Sequence, residues 1–161
     1  MEKKNGRGMN MGDRAVITTK KNMENNGIGI YVHWHGARGY IEPFLEYCRQ
    51  KGYRSITEDE SYGFARLTQV IANYVGNETG VGIGCVNDLD VDNGDNGTYI
   101  INDWKITDRL FVPYEEYKYK PTEDHIIKML RYIDERQPAN EQMYIDMSDD
   151  MIRERYREGL E

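Results

Sequence analysis

The sequence predicts an α+β domain, with an antiparallel sheet of about five strands and helices on one face. Two observations support this class. Short stretches in which apolar and polar residues alternate are typical of strands, and they occur both early in the chain and around its middle. Stretches with helical periodicity lie between and after them. The resulting order of elements is ββααβββα, followed by a C-terminal helix.

The strands are predicted from alternation and from the turns between them. The first two are DRAVITT (13–19) and GIGIYVHWH (27–35), joined by a hairpin turn at Asn-Asn-Gly. In the second strand, Val32 and Trp34 are expected to face the core. The later strands are GVGIGCV (80–86), TYII (98–101) and WKITDRLFV (104–112). The glycines of GVGIGCV leave one face of bare backbone, which suits the close approach of another group.

Three stretches carry apolar residues at helical spacing, and each has a residue suited to cap it. The apolar positions are Ile41, Phe44, Leu45 and Cys48 in the first helix, Phe64, Leu67, Val70, Ile71 and Tyr74 in the second, and Ile126, Ile127, Leu130 and Ile133 in the third. Gly52 is expected to end the first helix, and Ser61 and Thr122 to begin the other two. Ser148 is expected to cap a short charged helix near the C-terminus.

The length of 161 residues fits one domain. We expect a disordered arm over residues 1–11, a single α+β domain over 12–136, and a partly helical tail over 137–161. The chain has no apolar run of the roughly 20 residues that span a bilayer, and no apolar stretch of a signal peptide, so a cytoplasmic location in the host cell is expected. Cys48 and Cys85 are expected to be buried thiols rather than a disulfide.

Charge is the main functional signal in the composition. The formal net charge is −7, from 28 acidic and 21 basic residues, which argues against direct binding of nucleic acid and allows attraction to a basic partner. Residues 85–104 hold five aspartates and no base. We predict that Asp88, Asp90, Asp92 and Asp95, with Tyr99, contact a partner.

Two other interpretations of this acidic loop stay open. It resembles a calcium loop at Asp88, Asp90 and Asp92, but the sixth position is Asn93 rather than Gly and the twelfth is Tyr99 rather than Glu. It could also be a plain turn built from Asn, Asp and Gly.

The residues that could carry other chemistry are few. His33 and His35 could share one face of a strand, as a metal pair requires, but the companion ligands of a zinc site are lacking. Arg38 lies in the Gly-rich stretch GARGY (36–40) at a predicted helix start, where anions bind. Arg66 is a further candidate for anion or ligand binding, although a solvated or capping arginine is the simpler interpretation. The sequence shows no motif for nucleophilic catalysis, so we predict neither an enzyme nor a cofactor.

Five blocks of the sequence resemble one family. They are MGDRAVI (11–17), GIYVHWHG (29–36), FLEYC (44–48), YGFARLTQVIANYVG (62–76) and LDVDNGDNGTYIINDWKI (89–106). The chain is similar over residues 11–112 to a group of small proteins carried by phages, prophages and other mobile elements of Gram-positive bacteria. At position 35, where we expect Asn from the family pattern, this chain has His35. The resemblance implies a setting in which accessory proteins block host defence.

The leading hypothesis is therefore a non-enzymatic, phage-type anti-defence protein. The resemblance implies an anti-CRISPR inhibitor that binds a Cas effector through an acidic, tyrosine-rich surface. One alternative is a module that sequesters a nucleotide signal near Gly36 and Arg38. The other is a metal-dependent hydrolase that uses His33 and His35.

Overall fold

The computed structural model describes residues 12–76 and 80–161. These residues form two compact units. The sheet unit comprises residues 12–38, 80–102 and 106–119, and the helical unit comprises residues 39–76, 103–105 and 120–161. The α+β class is confirmed. The arm predicted for residues 1–11 lies outside the described residues. Within the two described ranges, no helix is both long and apolar enough to cross a membrane.

Five strands form one sheet, as predicted. They are β1 (Ala15–Thr18), β2 (Ile28–Val32), β3 (Val81–Cys85), β4 (Thr98–Asn102) and β5 (Lys105–Leu110). Their order across the sheet is β3-β2-β1-β4-β5, so β1 is central and β3 and β5 are the edges. The buried residues Val16, Ile17, Ile30 and Tyr99 come from the three inner strands.

The prediction of a wholly antiparallel sheet is wrong at one pair. β2 is antiparallel to β1 and to β3, but β4 runs parallel to β1, with Ile17 beside Tyr99. Because β3 and β4 both run in the direction of β1, the chain has to cross from the outer side of β2 to the far side of β1. Residues 86–97 make this crossing. Alternation reports which face a side chain occupies and carries no information on strand direction.

The connection between β1 and β2 is helical rather than a tight turn. Helix α1 (Lys20–Asn25) begins where the Thr19 hydroxyl accepts a hydrogen bond from the Asn22 N–H, at 3.1 Å. It ends at Asn26, whose φ is +56°. Asn favours this left-handed conformation both in hairpin turns and at helix ends, so the same residue fits either structure.

The other predicted helices are present, with small changes at their ends. They are α2 (Arg38–Gln50), α3 (Glu60–Val75), α5 (Glu123–Glu135) and α6 (Asp149–Glu158), and a short helix α4 (Tyr114–Lys118) was not predicted. The apolar positions predicted for α2, α3 and α5 are buried. Gly52 follows α2 with φ +76°, and Thr122 and Ser148 cap α5 and α6 as expected. The cap of α3 is Asp59 rather than Ser61.

The helical unit has a polar centre built around one buried carboxylate. Asp134, which is 2% exposed, accepts hydrogen bonds from the Tyr47 hydroxyl at 2.6 Å and from the backbone N–H groups of Met143 and Tyr144 at 2.9 Å each. The Tyr144 hydroxyl donates to Gln50. Burial raises the pKa of both tyrosines. The segment after α5 is thereby fixed to the helices, because the N–H groups of Met143 and Tyr144 donate to the Asp134 carboxylate.

Candidate functional site

The acidic loop, residues 86–97, lies against one face of the sheet. The Leu89 side chain comes within 3.3 Å of the positions that Cβ atoms would take at Gly29 and Gly84. The Thr98 hydroxyl donates to the Val91 carbonyl at 3.0 Å. The bare backbone predicted for GVGIGCV therefore does admit a close neighbour at Gly84, and the loop has a structural role as the crossover between β3 and β4.

Arg14 binds two aspartates of the acidic loop. Its backbone N–H and its Nε both donate to Asp95 Oδ2, at 3.1 and 2.7 Å, and its Nη1 lies 3.3 Å from Asp90. The hydrogen bond to Asp95 raises the pKa of the Arg14 guanidinium. Asp95 is 3% exposed, and its charge is balanced by the ion pair with Arg14. Asp88, Asp90 and Asp92 remain on the surface.

The buried side chain of Asn93 fixes the tip of the loop. Its amide nitrogen donates to the carbonyls of Asp90 and Gly97, and its amide oxygen accepts from the N–H groups of Asp95 and Gly97. All four hydrogen bonds are between 2.9 and 3.0 Å long. A loop held in this way presents its exposed carboxylates in one fixed arrangement, which lowers the entropic cost of binding.

Tyr99 does not lie on the surface where sequence analysis placed it. The side chain is fully buried on β4, and its hydroxyl donates to the Gly36 carbonyl at 2.6 Å. Burial raises the pKa of Tyr99. Asp95 and Tyr99 are thus internal residues, and the surface predicted for a partner reduces to Asp88, Asp90 and Asp92. The sequence cannot separate these roles, since an aspartate is the same residue whether it is buried in an ion pair or exposed to a partner.

An aromatic surface that sequence analysis missed follows β5. The aromatic segment, residues 111–119, contains four side chains that are between 44% and 68% exposed: Phe111, Tyr114, Tyr117 and Tyr119. Glu115 and Asp108 are exposed beside them. A hydrogen bond to Asp108 raises the pKa of Tyr117. The sequence signal for this exposed surface is the density of aromatic residues in FVPYEEYKY, because no helical or strand period assigns these residues to a core.

Buried Arg109 joins the acidic loop to the aromatic segment. Its guanidinium donates to the Asn96 carbonyl at 3.1 Å and to the Glu116 carbonyl at 3.4 Å. It also lies 4.1 Å from the centre of the Tyr99 ring. Burial lowers the pKa of Arg109. The sheet unit therefore presents acids and aromatic rings on two neighbouring segments that share one internal anchor.

The two histidines are not a pair on one strand face. β2 ends at Val32, so both lie in the loop that follows. Trp34 is 42% exposed rather than in the core, which corrects the predicted orientation. The Tyr31 hydroxyl and His33 Nδ1 are 2.8 Å apart, and His35 has φ +66°. Among the described residues, no group of three or more His, Cys, Asp or Glu side chains could hold a metal ion.

The two predicted anion-binding arginines lie in different units. Arg38, in the sheet unit, is 8% exposed at the start of α2. Arg66 lies on α3 in the helical unit, where its Nη1 donates to Gln69 at 2.6 Å and its guanidinium lies 5.1 Å from the Tyr62 ring centre. Arg66 therefore has local structural contacts within its own unit.

The cysteines differ in exposure. Cys48 is buried on α2, and burial raises the pKa of its thiol, as expected for a structural cysteine. Cys85 is exposed at the end of β3, so the prediction of a buried thiol is wrong there. Its strand is at the edge of the sheet that the described residues form.

A charged cleft of ≈ 300 Å³ lies between α5 and α6. Its lining includes Lys128, Arg131, Tyr132, Asp149 and Arg153. Both arginines are already bound to acids: Arg131 pairs with Asp149 at 2.7 Å and Arg153 with Asp124 at 2.8 Å. These ion pairs connect the two helices, which is a structural use of the charge.

Comparisons of the chain with protein-family models, with curated proteins and with solved structures found no match.

Proposed function

We propose that the chain is a non-enzymatic protein-binding inhibitor, an anti-CRISPR protein that acts on a Cas effector in the host cytoplasm. One observation carries the proposal: in the sheet unit, the guanidinium of Arg109 binds both the acidic loop, which carries exposed aspartates, and the aromatic segment, which carries exposed rings. Tyrosine is enriched where protein interfaces gain most of their binding energy. The setting of phage and host defence rests on the family resemblance of residues 11–112.

Charge supports a basic partner. The chain carries a net charge of −7, and Asp88, Asp90 and Asp92 are exposed on a loop without a lysine or arginine. Such a surface raises the rate of encounter with a cationic groove, and binding then weakens as salt is added. Cas effectors carry cationic grooves because they hold nucleic acid.

The geometry at Gly36 and Arg38 does not favour the nucleotide alternative. Both residues are buried, and the Gly36 carbonyl already accepts the Tyr99 hydroxyl. A phosphate needs backbone N–H groups or cations that are open to solvent. The metal-dependent hydrolase gains no support either, since His33 and His35 are in a loop rather than on one strand face.

The experiment compares two variants with equal loss of charge. The first carries Asp88→Asn, Asp90→Asn and Asp92→Asn in the acidic loop. The matched control carries Glu135→Gln, Asp146→Asn and Glu154→Gln, which are exposed acids of the helical unit. Each protein is co-expressed with a panel of Cas effectors, and plasmid interference and complex formation on a sizing column are measured.

We expect the wild type and the control to block interference and to form a complex with one effector. The loop variant is expected to bind at least about tenfold more weakly and to lose most of its salt dependence. If the wild type leaves interference intact and forms no complex with any effector tested, the anti-CRISPR assignment is wrong. Equal weakening in both variants would show that net charge, rather than the acidic loop, drives binding.

A further inference from the structure

Among the described residues, β3 is an edge strand of the sheet, and its own sequence has no residue that normally prevents edge pairing. Its sequence, VGIGC, contains no charge and no proline. Ile83 is 52% exposed, Cys85 is exposed, and no atom of the described residues lies within 4 Å of the position that a Cβ would take at Gly82. Proteins usually protect sheet edges with lysine, proline, bulges or a covering loop. An edge strand without charge or proline therefore indicates a strand that pairs.

The register within the sheet identifies which backbone groups face outward. His33 N–H donates to the Gly80 carbonyl at 2.7 Å, and Val86 N–H donates to the Gly27 carbonyl at 2.9 Å. These bonds lie in the same register as the pairing of Gly29 with Gly84. In an antiparallel pair, hydrogen-bonded positions alternate along the strand. Gly82 and Gly84 therefore bond to β2, and Val81, Ile83 and Cys85 direct their N–H and C=O groups away from it.

We propose that β3 pairs antiparallel with β3 of a second copy of this chain, about a two-fold axis at Ile83. In this register Ile83 of each copy lies opposite Ile83 of the other, and Val81 lies opposite Cys85. Each of these opposed pairs exchanges two hydrogen bonds, which gives about six in all and a continuous sheet across both copies.

The sequence of β3 is what selects a second copy as the occupant. VGIGC is nearly symmetric about Ile83, so the two-fold axis places glycine opposite glycine and apolar side chains opposite apolar side chains. Isologous interfaces require this self-complementarity. The absence of charge on β3 also matters, because a second copy of a chain with net charge −7 is repelled wherever acids meet.

The first test measures mass against protein concentration by analytical ultracentrifugation. We expect the full chain to pass from 18.9 kDa to twice that mass across the micromolar range. Ile83→Lys places two like charges opposite each other and is expected to weaken self-association at least about tenfold. Ile83→Val keeps an apolar β-branched residue and is expected to retain the dimer. A wild type that stays monomeric throughout, or an Ile83→Lys variant that dimerises as strongly as wild type, overturns the proposal.

The second test reports the register. Val81→Cys places a thiol opposite Cys85 of the second copy, at a Cα separation of about 5.5 Å that a disulfide can bridge. We expect a disulfide-linked dimer under mild oxidation. Val81→Cys combined with Cys85→Ser is the matched control, because the two thiols introduced at position 81 would then be roughly 14 Å apart. Equal cross-linking in both variants, or none in either, contradicts the two-fold axis at Ile83.

Discussion

The tyrosines of the helical unit and those of the aromatic segment put the same side chain to opposite uses. Tyr47 and Tyr144 are fully buried, and their hydroxyls donate to Asp134 and Gln50. Tyr114 and Tyr117 expose their rings after β5. A buried tyrosine stabilises the fold when its hydroxyl has a hydrogen-bond partner, whereas an exposed ring offers contact area to another protein. The first kind should determine stability, and the second should determine binding.

The largest expected difference between the two kinds is at alkaline pH. Burial raises the pKa of Tyr47, Tyr99 and Tyr144 in the folded chain, so the unfolded chain loses protons first. The folded state binds more protons above the ordinary tyrosine pKa, and the free energy of unfolding therefore falls as pH rises through it. The three groups together contribute a fall of about 2 kcal/mol per pH unit at pH 10, which approaches about 4 kcal/mol per pH unit above about pH 11.

Urea unfolding between pH 9 and about 11.5 measures this slope. Tyr47→Phe removes one of the three groups and is expected to reduce the slope by about 1.4 kcal/mol per pH unit. Tyr114→Phe, which removes one hydroxyl at an exposed ring, is the matched control. A slope that changes equally in both variants would mean that the buried and exposed tyrosines do not differ in this way.

Asp134→Ala is expected to give the next largest effect. The substitution leaves the Tyr47 hydroxyl and the N–H groups of Met143 and Tyr144 buried without their acceptor. We expect a loss of about 3 kcal/mol or more in the free energy of unfolding at neutral pH, measured by urea titration. Asp146→Ala, at an exposed acid, should change it by less than about 0.5 kcal/mol. A small effect at Asp134 would mean that solvent replaces the carboxylate.

The double substitution Tyr114→Ala with Tyr117→Ala should weaken binding and leave stability nearly unchanged. Because both rings are exposed, the free energy of unfolding is expected to change by less than about 1 kcal/mol. Binding to the proposed partner is expected to weaken at least about tenfold, measured by calorimetry. Tyr132→Ala, at an exposed tyrosine of the helical unit, is the matched control. Unchanged affinity in the double variant would exclude the aromatic segment from the interface.

The smallest expected effect concerns a single exposed hydroxyl. The hydrogen bond from Tyr117 to Asp108 favours the protonated phenol and raises its pKa. Asp108→Asn removes the charge and is expected to lower that pKa toward the ordinary value of about 10. NMR titration of the tyrosine ring signals measures the shift. A pKa that does not move, or that rises, would show that Asp108 is not the group responsible.

The helices could be predicted from the sequence because their signals are local. The spacing of Ile126, Ile127 and Leu130 places three side chains on one face, and Thr122 starts the helix that carries them. Period and cap both act within a few residues. The same holds for α2, where Gly52 follows the last turn with φ +76°.

The parallel pairing of β1 with β4 could not be predicted, since strand direction depends on contacts between residues far apart in the chain. The buried position of Asp95 could not be predicted for the same reason, since its partner Arg14 is 81 residues away. The aromatic segment was missed because nothing in its pattern distinguishes a buried ring from an exposed one.

The crossover made by the acidic loop sets the order in which the sheet can be completed. β1 is an early segment, yet its parallel neighbour β4 lies beyond residue 97. A growing chain can pair β1 with β2, and later β2 with β3, but the central strand keeps one side unpaired until the loop has been synthesised. Pairing between such distant segments is slow to form. The exposed aspartates therefore reach their fixed arrangement only in the finished fold, so a partner that recognises them would discriminate between complete and incomplete copies of the protein.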